Sequence, residues 1–223
     1  MERALRAAGG RWYVSRRRML ERLARGGIRD ARVLEALASV PRHTLVPEAL
    51  GHRAYDEAPL PIGAGQTISA PGTVAAMSAA LALAGPEKVL EIGTGSAYQA
   101  AVLARLAARV ISIERVPALA SRARRALDRM GVTNVVVHLG DGTRGWPPEA
   151  PYDAIVVTAG GPEIPEPLLA QLAPGGRLVG PFGARGRQQL VRVRRDAAGR
   201  VHAPEVLGAA RFVDLVGEHG WGG

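Results

Sequence analysis

Cysteine is absent from the 223 residues, which removes disulfides, thiolate metal sites and a cysteine nucleophile and makes a reducing, cytoplasmic setting the expected one. Long apolar runs are missing too. No segment approaches the roughly 18 uninterrupted apolar residues that a membrane span requires, and residues 1–20 mix arginine with polar groups instead of presenting a signal-peptide core. A soluble protein with no membrane partner is expected. Lysine is nearly absent: of 29 basic residues only Lys88 is one. The formal charge of +9 rests on arginines scattered from Arg3 to Arg211, with small clusters at Arg16-Arg17-Arg18 and Arg122/Arg124/Arg125. Such charge attracts phosphates. Scattered arginine in an alanine- and glycine-rich chain nevertheless reads as a compositional habit, and the 122–125 cluster as the solvated face of a helix. The five histidines have no mutual metal-ligand spacing, so no metal site is expected. Trp12, Trp146 and Trp221 stand alone, without the aromatic interleaving of a single-strand nucleic-acid surface.

What is present is apolar material for a core, 47% of the chain, at a length that suits one domain. Apolar residues at helical spacing predict helices over 15–24 and 30–40, the second capped by Asp30 and stopped by Pro41. Residues 41–68 lack periodicity and read as a long ordered loop, and a helix begins near Pro71. From Lys88 the pattern alternates: strands over 88–93, 109–114, 134–142, 152–159 and 177–183, and helices over 97–108, 117–131 and 165–176. Residues 188–208 alternate with period two around Ala198-Gly199, as an antiparallel hairpin does. The fold class expected is α/β, a doubly wound Rossmann-like sheet with N-terminal helices and a C-terminal antiparallel hairpin. One domain over 1–223 divides into an N-terminal helical region and loop (1–86), a cofactor-binding core (87–183) and a hairpin with tail (184–223).

The run "VLEIGTGSAYQAA" at 89–101 feeds a strand through Gly93 and Gly95 into a helix, aiming backbone N–H groups and a positive helix end at a ligand. The third glycine of a dinucleotide fingerprint is missing, which weakens a pyrophosphate reading. Glu114 ends the second strand, 19 positions beyond Gly95, where a carboxylate can accept both ribose hydroxyls. Glu91, just before the glycines, would repel a pyrophosphate and suit a ligand bearing an ammonium and a sulfonium. Asp141 in "GDG" can accept from an adenine amino group. Glu91, Gly93, Gly95, Glu114 and Asp141 sit at the carboxyl ends of successive strands and form the constellation of a class I S-adenosyl-L-methionine-dependent methyltransferase.

Ahead of that core, "VPRHTLVPEAL" (40–50) and "YDEAPLPIGAGQTISAP" (55–71), with "GDG", "VTAGGPEIPEPLLAQLAPGGRLVGPFG" (157–183) and "RFVDLVGEHGW" (211–221), resemble protein-L-isoaspartate O-methyltransferases from about Leu20 to Trp221. The resemblance implies repair: methyl transfer from S-adenosyl-L-methionine to the free carboxylate of L-isoaspartyl residues in damaged proteins. It makes Ser69 the catalytic residue that orients the acceptor. The position of Ser69 also allows it to be the N-cap of the helix entered at Pro71. The cofactor-binding set is Gln66, Thr67, Ile68, Ser69, Glu91, Gly93, Thr94, Gly95, Glu114, Asp141, Gly142 and Thr158. The partners are isoaspartyl peptides and proteins, with no nucleic acid, and the chain is expected to work as a monomer. Departures from the family pattern fall at Ala64, where His is common, Ala97, where Gly is common, and Asp214, where a neutral residue is more familiar. A tRNA methyltransferase is the main alternative, although the turn after the fourth strand, Thr158-Ala159-Gly160-Gly161-Pro162, lacks the Asn/Asp-Pro-Pro-aromatic pattern that base amino groups require. A NAD-dependent dehydrogenase and a module without activity are further alternatives.

Overall fold

The computed structural model describes residues 12–222. Residues 1–11, which carry most of the segment tested above for a signal peptide, and the outer bounds of the 1–223 domain lie outside the described residues.

Helix α1 (Tyr13–Arg25) buries Arg16, Met19, Leu20 and Leu23, the i, i+3, i+4, i+7 set of one helical face. Helix α2 (Ala31–Ser39) starts as expected: Asp30 accepts from the N–H groups of Arg32 and Val33 at 2.9 and 3.3 Å. The stretch read as a loop carries more order than its lack of periodicity suggested. It holds 3-10 turns at Arg42–Thr44 and Glu48–Arg53 and a hairpin of β1 (Leu60–Gly63) and β2 (Gln66–Ile68). Both central hairpin residues have positive φ, Ala64 at 53° and Gly65 at 69°, as a tight I′-type turn requires. Helix α3 (Pro71–Ala80) follows.

The main sheet consists of β3 (Lys88–Ile92), β4 (Arg109–Glu114), β5 (Val135–Leu139), β6 (Tyr152–Val157), β7 (Leu172–Phe182), β8 (Gln188–Arg194) and β9 (Glu205–Ala210) in the spatial order β5-β4-β3-β6-β7-β8-β9. Strands β3 to β7 run parallel to one another, β8 pairs antiparallel with β7, and β9 pairs antiparallel with β8. The order reverses beside β3, and that switch point is where an open α/β sheet leaves a crevice at its strand ends. Side chains alternate across the sheet. Val89, Val110, Val137, Ala154 and Val156 face a core shared with Met19, Leu37, Val74, Ala100, Val102 and Leu127 of the N-terminal and crossover helices. Leu90, Ile92, Ile111, Ile113, Ile155 and Val157 face a smaller core closed by Leu168, Phe182 and Leu215. Among the described residues the helical cover is therefore uneven, with α4 (Tyr98–Leu103) and α5 (Pro117–Arg129) on the first face and α6 (Glu166–Ala170) alone on the second.

Two helices are shorter than their apolar spacing predicts. α4 stops at Leu103 because the chain tightens into i→i+3 bonds, and Asn134 Nδ2 takes the carbonyls of Ala104 and Ala107 at 3.0 and 3.1 Å. α6 stops at Ala170, and "LAPGG" joins β7 as an irregular start, with Tyr152 opposite Leu172 but Ala154 opposite Arg177. Pro174 cannot continue a helix, and Gly175 adopts φ 79°. The cluster at 122–125 is not simply solvated. Arg122 Nη2 donates to the Ile62 carbonyl, Arg124 donates to the Val137 carbonyl through Nε and Nη2 at 3.0 and 2.6 Å, and Arg125 bonds Ser121 at the surface. Arg16 and Arg42 are fully buried. Arg16 bonds the Tyr55 hydroxyl and the Ala38 carbonyl, and Arg42 donates to the Ala54 carbonyl at 2.6 Å with its guanidinium over Tyr98. Much of the positive charge thus pins distant loops through their carbonyl oxygens.

Candidate active site

The turn after β3 leaves no room for a side chain at its first residue. Gly93 has φ 97°, and a Cβ there would lie 2.5 Å from Thr158 Oγ1. That hydroxyl donates to the carbonyls of Ile92 and Gly93 at 2.9 and 2.6 Å, clamping the ends of β3 and β6 together. Gly95 donates its N–H to Glu114 Oε2 at 2.8 Å, while Oε1 of the same carboxylate accepts from Val116 N–H at 2.9 Å. The last residue of β4 thereby holds the glycine turn. Behind the turn, Ser112 Oγ donates to Glu91 Oε2 at 2.5 Å, and Thr94 Oγ1 stands 2.5 Å from Ser112 Oγ. With Ser112 donating to the carboxylate, Thr94 is the donor to Ser112.

Glu91 differs from its expected position. It alternates onto the same face as Val89, pairs across the sheet with Ser112, and is wholly buried, so its carboxyl stands behind the cleft rather than on its wall. Burial raises its pKa to about 8; the Ser112 bond opposes the rise and the neighbouring Glu114 charge adds to it. Near neutrality Glu91 is mostly protonated and is a poor direct counter-charge. Asp141 is likewise occupied. Its Oδ1 accepts from Thr143 N–H and Oγ1 at 2.9 and 2.7 Å, and Oδ2 accepts from Glu218 N–H at 2.9 Å. Burial pushes its pKa up, but these donors and Arg144 outweigh it and hold the carboxyl below the usual aspartate value. Gly142, not Asp141, lines the cleft.

The opposite wall is the hairpin and the residues after it. Gln66, Thr67, Ile68 and Ser69 line, with Gly93, Thr94, Gly95, Glu114, Gly142 and Thr158, a cleft open to solvent. Ser69 is half-buried, and its hydroxyl makes no hydrogen bond among the described residues. It is not the helix cap: Ala70 occupies that position, and Glu57 Oε1 accepts the Gly72 N–H at 2.7 Å in place of a capping hydroxyl. A third stretch, Val213 to Val216, closes the cleft from the C-terminal side. It hangs on Gly160, whose N–H donates to the Val213 carbonyl at 2.7 Å and whose carbonyl accepts from Leu215 N–H at 2.9 Å. Tyr98, Gln99 and Arg115 also line the cleft and were not singled out from sequence. Their places in a helix start and a strand end gave no distinguishing signal.

Residues 14–220 match the profile of the family described as protein-L-isoaspartate(D-aspartate) O-methyltransferase (PCMT). The chain belongs to this family. It is 58% identical over 210 residues to protein-L-isoaspartate O-methyltransferase 1 of Syntrophobacter fumaroxidans, covering 94% of this chain and 97% of that one. Over 198 residues it is 57% identical to protein-L-isoaspartate O-methyltransferase of Methanoculleus marisnigri, covering 88% and 89%. Among solved structures, a protein-L-isoaspartate O-methyltransferase superposes with a TM-score of 0.82 at 29% identity, over 92% of this chain and 67% of that one. A Plasmodium falciparum β-aspartate methyltransferase (PCMT) in complex with S-adenosyl-L-homocysteine superposes with a TM-score of 0.76 at 26% identity, over 88% and 96%.

The positions at which this PCMT chain departs from the more familiar pattern are structurally marked. Ala64 and Ala97 both adopt left-handed backbone, with φ 53° and 69°, a conformation that glycine takes without strain. Ala64 is exposed at the hairpin tip, whereas Ala97 is buried at the start of α4. Asp214 lines the cleft and is paired with Arg185, whose Nε stands 2.9 Å from Oδ2.

Proposed function

We infer that this chain repairs proteins by transferring the methyl group of S-adenosyl-L-methionine to the free carboxylate of L-isoaspartyl residues. The cleft fits that cofactor on its own terms. A turn whose missing Cβ leaves an approach to backbone, and a carboxylate at the end of β4, suit a ribose-bearing ligand. The charged groups on the wall are Glu114, Arg115 and Asp214, the last paired with Arg185, so the wall carries no excess of positive charge to hold a pyrophosphate. In this reading Glu114 accepts the ribose hydroxyls, backbone at 93–95 and at Gly142 holds the nucleoside with Thr158 beside it, and Gln66, Thr67 and Ile68 reach the cofactor from the opposite, acceptor wall. Glu91 acts one step back, through Ser112 and Thr94, by fixing the turn. Asp141 sets the Gly142 backbone and reaches the adenine only if the Glu218 N–H releases it.

The bound cofactor supplies an electrophilic methyl on a sulfonium. A carboxylate of pKa about 4 is already ionised at neutral pH, so the chain needs no general base to make the nucleophile. The protein holds the acceptor oxygen in line and excludes water, and such orientation is worth up to about 7–11 kcal/mol. Ser69 supports this reading most directly: it lines the cleft just after the hairpin, opposite the glycine turn, and its hydroxyl, without a hydrogen bond among the described residues, is ready to donate to an acceptor carboxylate. The resulting ester closes to a succinimide without further help and reopens partly as aspartate. The N-terminal helices share one core with the sheet, which supports a single domain, and a monomeric, cytoplasmic setting completes the proposal.

The test is incubation with methyl-labelled S-adenosyl-L-methionine and an isoaspartyl peptide, its aspartyl twin and tRNA in parallel. Label in the isoaspartyl peptide alone, released by mild base as methanol, is expected. Label in tRNA, or in no acceptor, would sink the reading.

A further inference from the structure

Asp214 is an acid on the wall of a cleft that, in the reading above, must admit an anion, and like charges at close range oppose binding. The surrounding residues supply an answer. Arg185, on the turn between β7 and β8, donates from Nε to Asp214 Oδ2 at 2.9 Å. Its guanidinium lies 4.4 Å from the ring centre of Trp221. That indole is itself fixed, its Nε1–H donating to the Gly160 carbonyl at 2.7 Å and its backbone N–H to the Leu215 carbonyl at 2.8 Å. Gly160 also anchors the chain on both sides of Asp214, through Val213 and Leu215. The acid, its cation and the aromatic plate beneath the cation are thus fastened to one backbone position at the end of β6. Only Nε of Arg185 is engaged; neither Nη atom has a hydrogen bond among the described residues.

Side-chain exposures of 60% for Arg185 and 38% for Asp214 make this a surface pair, of a kind that contributes little to stability. Its placement against the acceptor side of the cleft therefore asks for another role. We propose that Arg185 is a positioning residue that neutralises Asp214, and that the pair sets how the enzyme reads charge on residues flanking the isoaspartyl group. With both charges present the wall is close to neutral. Loss of Arg185 exposes a bare carboxylate that rejects acidic flanks, and loss of the Asp214 charge leaves a cation that favours them. The proposal rests on the isoaspartyl reading for the identity of the acceptor, not for the sign of the effect.

The experiment measures binding and transfer separately. Two fluorescent isoaspartyl hexapeptides, one with glutamate neighbours and one with arginine neighbours, are titrated by anisotropy into the full chain with S-adenosyl-L-homocysteine present. The unaltered protein is expected to bind the two within about threefold of each other. Arg185→Met should weaken the acidic peptide about tenfold relative to the basic one, Asp214→Asn should reverse the preference, and the double variant should return to near parity. Arg185→Lys should behave as the unaltered protein, and each preference should shrink in 0.5 M salt. Equal weakening of both peptides, a double variant no better than Arg185→Met alone, or preferences indifferent to salt overturns the proposal. Methyl transfer followed in parallel separates the two readings. Charge-selective binding without transfer supports the pair and removes the repair reaction, transfer with charge-blind binding does the reverse, and no binding of either peptide overturns both.

Discussion

The cofactor wall of the cleft and its acceptor wall are held by different kinds of bond. The cofactor wall is made of strand ends: Ile92 lies in register with Ile113 on one side and Val157 on the other, so the residues that follow emerge from a hydrogen-bonded lattice. Glu114 and Thr158 then tie the emerging turn at two further points. The acceptor wall is assembled from pieces far apart in the chain: its C-terminal piece is bridged to Gly160 by two backbone bonds, and the pieces are otherwise fastened by reaching side chains, namely Arg122 to the Ile62 carbonyl, Glu57 to the Gly72 N–H and Trp221 to the Gly160 carbonyl. A wall built from a lattice has few conformations to fall into, so changing it costs stability and cofactor binding together. A wall fastened by single side chains can be altered piece by piece, which suits the part that must accept many protein substrates.

The largest effect is expected where the lattice is tightest. Gly93→Ala must push aside a hydroxyl that would lie 2.5 Å from the new methyl, and must hold alanine at φ 97°. Strain of about 1–3 kcal/mol, added to about 1 kcal/mol for the displaced Thr158 hydroxyl proton, predicts a loss of roughly 3 kcal/mol, or a Tm lower by about 6–12 °C. Titration with S-adenosyl-L-homocysteine should show affinity falling about a hundredfold or more. A variant that melts and binds normally would mean that the cofactor wall is not rigid. Ser69→Ala makes the contrasting cut on the acceptor wall. One charge-assisted bond, worth about 1.5–3 kcal/mol, predicts turnover lower by about ten- to a hundredfold with cofactor affinity and melting temperature nearly unchanged. Comparable loss of cofactor affinity would erase the distinction between the walls.

The same division decides what was readable from the sequence. Apolar runs such as 88–93 and 109–114 announce buried parallel strands, and the glycines and acids at their ends announce a site, because strand and turn chemistry are local. The hairpin at 60–68 escaped because four alternating residues, one of them Pro61, carry too little period to stand out. Ser69 has two roles open to it in the sequence, since Glu57, which takes the capping bond instead, lies 15 residues upstream of the Gly72 N–H that it accepts. Buried Arg16 and Arg42 could not be seen at all: an arginine enters a core only when a distant partner awaits it, here the Tyr55 hydroxyl 39 residues away and the Ala54 carbonyl 12 residues away. Glu91 shows that a motif can mislead in its detail, as the alternation of β3 turns its side chain away from the cleft.

Glu91 also allows a pH test of the cofactor wall. Its folded pKa of about 8 stands above the ordinary 4.5, so the folded state binds the extra proton and stability falls as pH rises through that interval. A shift of this size predicts that the unaltered protein loses about 2 kcal/mol between pH 6 and pH 8 relative to Glu91→Gln, which has no proton to release. Denaturant melts of both proteins across that range measure the difference, and parallel pH profiles would show that the carboxyl is not held protonated.

The smallest effects come from the two left-handed alanines, one on each wall. Ala64 is exposed at the hairpin tip, so Ala64→Asn trades only backbone strain: asparagine tolerates φ near 53° and gives up no buried contact. A gain of about 0.5 kcal/mol and a Tm higher by about 1–2 °C are expected. Ala97 adopts a similar φ but is fully buried, so Ala97→Gly relieves strain while removing a packed methyl worth about 0.8 kcal/mol and loosening the unfolded chain. Those terms offset one another, and scanning calorimetry should find Ala97→Gly neutral or slightly destabilising where Ala64→Asn stabilises. The opposite ranking would mean that the strain, not the packing, dominates the lattice wall, and that its alanine is a defect the fold tolerates rather than a part that it uses.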